Sequence, residues 1–362
     1  MRKHLQQFKI QSYKGLKGLS LDDLNCINII TGDNNSGKTS LLEVLSTLNN
    51  PQDTESWLPG TRIMGTRWRT SSYLDGFTGL FPADSDFKEI SYEFCNDKGI
   101  SKSVLVKADF GQTQISTGEL NALNRMSFSS VKNEENVIID TDYLDMTFYV
   151  NGEKKNEDII YGGQDRLGRR QKKESFLTTL YVSPTDYASK IYNISRVFAP
   201  GDYEIMLEMV RTFDEDILQI SAVKDENLFA NVNYKVYSKS YKEPLLLNAY
   251  GDGMKKAIYL LNAVIGARSG ILLIDEFETG IHTSAMDKVF SVLLESALRY
   301  DVQVFMTSHS KEAIEKVLRC GERMQPYVNL YTLYKYDGKN YARKLSCTEA
   351  IHAQDNLGLE LR

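Results

Sequence analysis

Along the chain the apolar positions follow two periods, and the points where one gives way to the other predict the elements. Ile27, Ile29 and Ile30 form a β-branched run that breaks at Gly32. Leu41, Leu42, Val44 and Leu45 then recur with helical spacing until Asn49-Asn50-Pro51. A strand, a glycine-bearing loop and a helix are therefore expected in that order. Before them, residues 1–31 read as two or three short strands, with Gln7 to Ile10 the first and a turn around Gly15 and Gly18. Ile90 to Phe94 and Ser103 to Val106 alternate like antiparallel strands. With the stretch 51–85, rich in Gly, Ser, Thr and aromatic residues (Trp57, Trp68, Tyr73, Phe77, Phe81), they predict a β-rich lobe.

Between 110 and 175 turn signals at Gly111, Gly118, Gly152 and Gly162-Gly163 outweigh any period, and Met146 to Val150 is the clearest strand there. Leu180 to Ser183 reads as a strand closed by Pro184. Ile205, Met209, Phe213 and Ile217 fall four apart, the spacing of one helical face and of an ordinary core stripe. Ile271-Leu272-Leu273-Ile274 is apolar throughout, as in a parallel strand covered on both faces. Thr283 to Tyr300 is then a helical crossover and Val302 to Met306 the next parallel strand. Tyr331 to Tyr336 and Tyr341 to Leu345 flank Asp337-Gly338 as a hairpin, followed by a polar tail to Arg362. With no internal repeat and no sustained heptad, a long coiled-coil arm is not expected.

The loop after the first buried strand carries candidate chemistry. Gly32-Asp33-Asn34-Asn35-Ser36-Gly37-Lys38-Thr39, with Ser40 beginning the helical pattern, fits the phosphate-loop spacing G-x-x-x-x-G-K-S/T. Glycine lets backbone N–H groups turn onto phosphate oxygens, and the helix points its positive end at the same anion. Lys38 is then placed for the β- and γ-phosphates of ATP and the Thr39 hydroxyl for Mg²⁺. A glycine-rich loop without a ligand is the alternative. Asp275-Glu276 ends the apolar run at 271–274, which delivers Asp275 to the Mg²⁺ shell and Glu276 to an attacking water as general base. His309, in Thr307-Ser308-His309-Ser310, stands at the end of the next strand within reach of a γ-phosphate or that water. Tyr250-Gly251-Asp252-Gly253 opens another helical pattern, a second anion-facing helix start that Asp252 can cap, or a plain helix cap. His282 suits either a subunit contact or a loop.

The chain has 362 residues, 42% hydrophobic and 25% charged, enough for one large domain or two and for a sizeable core. A net charge of −5 gives no general nucleic-acid coat. The exception is Arg166-Leu167-Gly168-Arg169-Arg170-Gln171-Lys172-Lys173, which reads as a solvated loop or as a nucleic-acid or partner patch. Cys26, Cys95, Cys320 and Cys347 lie far apart without a C-x-x-C, so reduced thiols are expected rather than zinc or disulfides. No signal peptide or membrane span is recognisable, and a cytoplasmic protein is expected.

Taken in order, the phosphate loop, the YGDG helix start, LLIDE and TSHS resemble the ABC-type ATPase heads of the RecF and SMC group. They resemble more closely the overcoming-lysogenization-defect (OLD) type AAA ATPases of bacterial defence. The match covers residues 1–50 and 177–318. The resemblance implies an α/β ABC-ATPase head spanning 1–318, with a parallel-sheet core, an antiparallel lobe and insertion at 51–176, a helical lid, and 319–362 completing it. It implies that Tyr250 to Met254 is the signature motif reaching a nucleotide on another subunit of a homodimer or higher homo-oligomer. It further implies Glu276 as base, Glu278 to His282 as the loop between subunits, and His309 as γ-phosphate switch. The chain departs from the family at Gly251, where serine is common, and no glutamine loop is assignable. The short remainder after His309 leaves no room for the Toprim nuclease of OLD enzymes. The chain therefore resembles the stand-alone ATPases of two-gene antiphage modules such as PARIS, RloA-like or abortive-infection systems, whose partner is a separate nuclease or toxin. A RecF/SMC-like repair ATPase that binds DNA is the rival, and a transporter subunit a third reading.

Overall fold

The computed structural model describes residues 3–63, 72–83, 88–124, 137–167, 176–184, 186, 194–224 and 232–357. Trp68 and the basic residues Arg169, Arg170, Lys172 and Lys173 lie outside them, as does the chain from 358 on.

A six-stranded sheet holds the centre, in the order Lys339–Ser346, Val328–Tyr336, Ile27–Gly32, Gln303–Thr307, Ile271–Ile274, Thr179–Val182. Neighbours are parallel except the first pair, which forms the expected hairpin. Because side chains alternate across a strand, the apolar runs feed two cores. Ile30, Ile271, Leu273, Phe305 and Leu333 pack on one face with Leu41, Leu42 and Leu45 of the helix Lys38–Ser46. Ile29, Leu272, Ile274, Val304 and Met306 pack on the other with the helices Asp202–Arg211, Asp252–Gly266, Thr283–Arg299 and Lys311–Leu318.

Over the first core lies an antiparallel sheet, Leu16–Leu21, Leu5–Tyr13, Glu89–Asn96, Ser101–Ser116, Ile138–Val150 and Glu153–Tyr161 in spatial order. The described residues between 110 and 161, where periodicity leaves the form unresolved, are mainly the far part of these long strands and the helix Thr117–Asn124. Residues 51–85 supply no strand among the described residues. They form short helical turns that insert Trp57, Phe77 and Leu80 into the core. A three-stranded sheet, Leu245–Leu246, Val232–Ser238 and Ile217–Lys224, borders the second core.

Two expectations change. The helix from Asp202 stops at Arg211, where the Thr212 hydroxyl donates back to the Met209 carbonyl at 2.7 Å, and Ile217 begins a strand. The buried stripe is therefore Met206, Met209 and Val210. After the hairpin the polar tail is a helix, Cys347–Leu357, which buries Cys347, Ala350 and Ala353. Among the described residues no helix is long and apolar enough to cross a membrane.

Candidate functional site

The loop 32–37 is shaped by its neighbours. Gly32 has φ 141°, and a Cβ there would stand 2.3 Å from the Leu333 carbonyl oxygen of the adjoining strand. Gly37 has φ 100°, and a Cβ there would meet Leu16 Cδ2 at the same distance. Only glycine closes the loop in this frame. Lys38 is buried and folds back, Nζ donating to the Gly32 carbonyl at 2.7 Å and the Asp33 carbonyl at 2.9 Å. Burial pulls its ammonium below the ordinary lysine range, while Asp275, Asp33, Glu276 and Glu278 pull the other way. Ser36 Oγ is buried without a hydrogen-bond partner. Asn34, Asn35, Gly37, Lys38, Thr39, Ser40, Arg62 and His309, with Gly15 and Leu16, line an open cavity of about 500 Å³.

Across the sheet edge, Asp275 is 4% exposed, and its carboxylate gathers three hydroxyls. Thr307 Oγ1 donates to Oδ1 at 2.5 Å, Thr39 Oγ1 to the same oxygen at 3.3 Å, and Tyr181 OH to Oδ2 at 3.3 Å. Burial, and next the Asp275 charge, hold the Tyr181 phenol well above its usual pKa, so it stays a donor. Thr307 also accepts the Glu276 N–H at 2.8 Å, which pins that residue in a left-handed backbone, φ 46°. Thr279 Oγ1 donates to Glu276 Oε2 at 3.1 Å. Glu278 Oε1 accepts the N–H groups of His309 and Ser310 at 3.1 and 3.3 Å, leaving the His309 side chain exposed on the cavity wall.

Tyr250 to Gly253 do not line this cavity. Gly251 is the N-cap of the helix Asp252–Gly266, with no side-chain cap. Asp252 is not a cap as expected. It lies in the first turn, paired with Lys255 at 2.7 Å. A Cβ on Gly251 would meet nothing within 4 Å, and one on Gly253 would make only ordinary contacts with Ala285 and Phe213. His282 caps its helix, Nδ1 accepting the Ser284 N–H at 3.3 Å.

Residues 205–315 match the family model of an AAA domain, described as a putative AbiEii toxin of a type IV toxin–antitoxin system. The chain carries an AAA-type ATPase domain. An ATP/GTP phosphatase of Helicobacter pylori is 27% identical over 344 residues, 86% of this chain and 86% of that protein. An uncharacterized protein of Methanocaldococcus jannaschii is 29% identical over 113 residues, 31% of this chain and 98% of its own length. Among solved structures, an SMC head bound to the C-terminal winged-helix domain of ScpA superposes with a TM-score of 0.51 at 12% identity, covering 96% of this chain and 99% of that one. The fold is that of an ABC-ATPase head.

Of the residues singled out from the sequence of this ATPase, Lys38, Thr39, Asp275, Glu276 and His309 converge on one edge of the parallel sheet, while Tyr250 to Gly253 stand apart. Sequence reasoning missed Tyr181, Thr307 and Arg62. It also missed Glu43, a carboxylate 1% exposed that holds Arg62 Nε at 2.7 Å and Lys14 Nζ at 2.6 Å beside the cavity. The TSHS motif was the available signal for Thr307, the last residue of its strand.

Proposed function

We propose that the chain binds ATP with Mg²⁺ and hydrolyses it between copies packed head to tail, and that nucleotide state controls a separate nuclease or toxin in antiphage defence. One observation carries this reading: the phosphate-loop cavity and the glycine-bearing helix start lie apart in one chain. The phosphate loop, Thr39, Asp275 and Glu276 share one edge, whereas Gly251 and Gly253 are glycines that their own chain does not need.

The donor set fits Mg²⁺, which takes oxygen ligands and is usually held by one or two carboxylates plus phosphates rather than by a protein cage. Thr39 Oγ1 and Asp275 Oδ1, 3.3 Å apart, are the oxygens to hold it. When bound, the ion supplies charge neutralisation on the transferred phosphoryl oxygens. Lys38 leaves its two carbonyls and donates to the β- and γ-phosphates. The unpartnered Ser36 hydroxyl faces the same loop and gains an acceptor. Glu276, fixed through Thr307 and Thr279, orients the attacking water and takes its proton. His309 donates to the γ-phosphate from the opposite wall. The glycines at 251 and 253 admit a γ-phosphate held by the other copy, with backbone N–H groups in place of a serine hydroxyl.

The matched AAA domain, described as a putative toxin of a toxin–antitoxin system, supports the defence reading, and the Helicobacter pylori phosphatase supports nucleotide hydrolysis. The test is complementation between Lys38→Ala and Gly251→Asp chains. Each alone is expected to be inactive, and the mixture to recover part of the wild-type turnover, because a mixed pair keeps one intact composite site. No recovery refutes the head-to-tail site. Isolation of Glu276→Gln from its host with ATP and Mg²⁺ then tests the partner. A nuclease-like or toxin protein supports the defence role, and DNA without a protein partner replaces it with a repair ATPase.

A further inference from the structure

The hairpin Val328–Tyr336 and Lys339–Ser346 buries Leu330 and Leu345 in the second core near its base, and beyond them the same face opens to solvent. Along its edge the Leu333 carbonyl abuts Gly32, and on the opposite, working face Asn340 accepts the Lys17 N–H at 2.9 Å and donates to the Ser36 carbonyl at 3.4 Å. Lys344, on the same face, is engaged by Asp23. Pairing register puts different residues on the exposed part of the face that Leu330 and Leu345 begin: Tyr334 across from Tyr341, Tyr336 across from Lys339, and Thr332 across from Arg343. The three tyrosines are 47, 39 and 72% exposed for Tyr334, Tyr341 and Tyr336. The Tyr334 and Tyr341 rings stack at 5.6 Å between centroids and 19° between planes. Among the described residues neither Lys339 nor Arg343 enters an ion pair.

We propose that this face binds single-stranded nucleic acid, with bases stacked on Tyr334, Tyr341 and Tyr336 and phosphates paired to Lys339 and Arg343. Flat aromatic side chains on an exposed sheet face, interleaved with cations, are what unpaired bases on a charged backbone require. An apolar partner would bury two cations without compensation. An acidic peptide would answer the charges but not the stacked rings. A duplex keeps its base faces inside. In a chain of net charge −5 the attraction is local to this face rather than a property of the whole surface. The proposal stands apart from the nucleotide site, since none of the five residues lines that cavity.

The test is fluorescence anisotropy of short labelled oligo(dT) and oligo(U), titrated with the full chain at low and near-physiological salt. Binding of either strand is expected; which one binds more tightly tells DNA from RNA. Tyr334→Ala with Tyr341→Ala should weaken it roughly ten- to a hundredfold per base unstacked. The corresponding Phe pair, which keeps the rings, should restore it. Lys339→Gln with Arg343→Gln should flatten the slope of log affinity against log salt by about 1.4, and Lys344→Gln should not. Absence of binding by the wild-type chain overturns the proposal, as does equal affinity for duplex or an unweakened Ala pair. A change in oligomeric state of the Ala pair at unchanged oligonucleotide affinity would assign the face to a second copy and also overturn it. Nucleotide binding measured on the same variants separates failure here from failure of the ATP site.

Discussion

Thr307→Val removes one oxygen and keeps the shape of a side chain that is 1% exposed. That oxygen makes two contacts: it donates to the Asp275 carboxylate at 2.5 Å and accepts the Glu276 N–H at 2.8 Å. A hydrogen bond to a charged group is worth about 1.5–3 kcal/mol, and a buried N–H left without an acceptor costs about 1–3 kcal/mol. The Glu276 backbone, at φ 46°, stores strain of order 1–3 kcal/mol that this clamp holds in place, so relaxation there returns part of the loss. A net destabilisation of about 3 kcal/mol is expected, a little over a hundredfold in an equilibrium constant. Urea unfolding measures it, and hydrogen exchange at the Glu276 amide locates it. Thr307→Ser keeps both hydrogen bonds and should lose only about 1 kcal/mol for the missing methyl. If valine is as stable as the wild type, or if serine loses as much as valine, the clamp is not what fixes Glu276.

Glu276→Gln should keep ATP affinity while turnover falls at least a hundredfold, read by nucleotide binding and phosphate release on one preparation; undiminished turnover removes Glu276 as base. Lys38→Ala should lose ATP binding yet remain as stable as the wild type in urea, since the lost ammonium is a desolvated one; normal affinity would end its role on the phosphates. Burial pushes the Lys256 ammonium down from 10.5 to about 8, against the opposing pull of Glu278 and Glu276. The unfolded chain therefore binds the extra proton between these values, and stability rises with pH from about 8 to about 10.5 by about 3 kcal/mol. Lys256→Met should abolish that rise, and an identical pH profile in the variant would contradict it.

What was legible in the sequence was local. β-Branched runs ending at Gly32 and Asp275, and the helical period after Lys38, are short-range signals, and the observed strands Ile27–Gly32 and Ile271–Ile274 and helix Lys38–Ser46 follow them closely. Tyr181 and Leu333 take their roles from neighbouring strands, across sequence separations that no periodicity reports. The four-residue spacing through Ile217 misled because Phe213 and Ile217 continue a helical period by coincidence after the backbone has turned. The C-terminal helix hides its face in small residues, Cys347, Ala350 and Ala353. Its signal was a capping box, Ser346 to Glu349: the Ser346 N–H donates to Glu349 Oε2 at 2.8 Å, and Ser346 Oγ accepts the Glu349 N–H at 3.3 Å.

The position of Lys256 gives the two separated halves of the proposed site a physical connection. It lies one turn into the helix that Gly251 caps, and its ammonium donates to the Thr279 carbonyl. The Thr279 hydroxyl in turn donates to Glu276 Oε2 at 3.1 Å, and Glu278 in the same loop accepts from the backbone of His309 and Ser310. The helix start that a second copy would press upon is thus joined, through one side chain and one turn of backbone, to the proposed base and to the residue on the cavity wall. A buried ammonium is costly to keep without its partner, so helix and loop are held to move together. Coupling of this kind is reciprocal. If the second copy fixes Glu276, then the nucleotide at Glu276 fixes the surface offered to the second copy, and this is the property a nucleotide-controlled assembly needs.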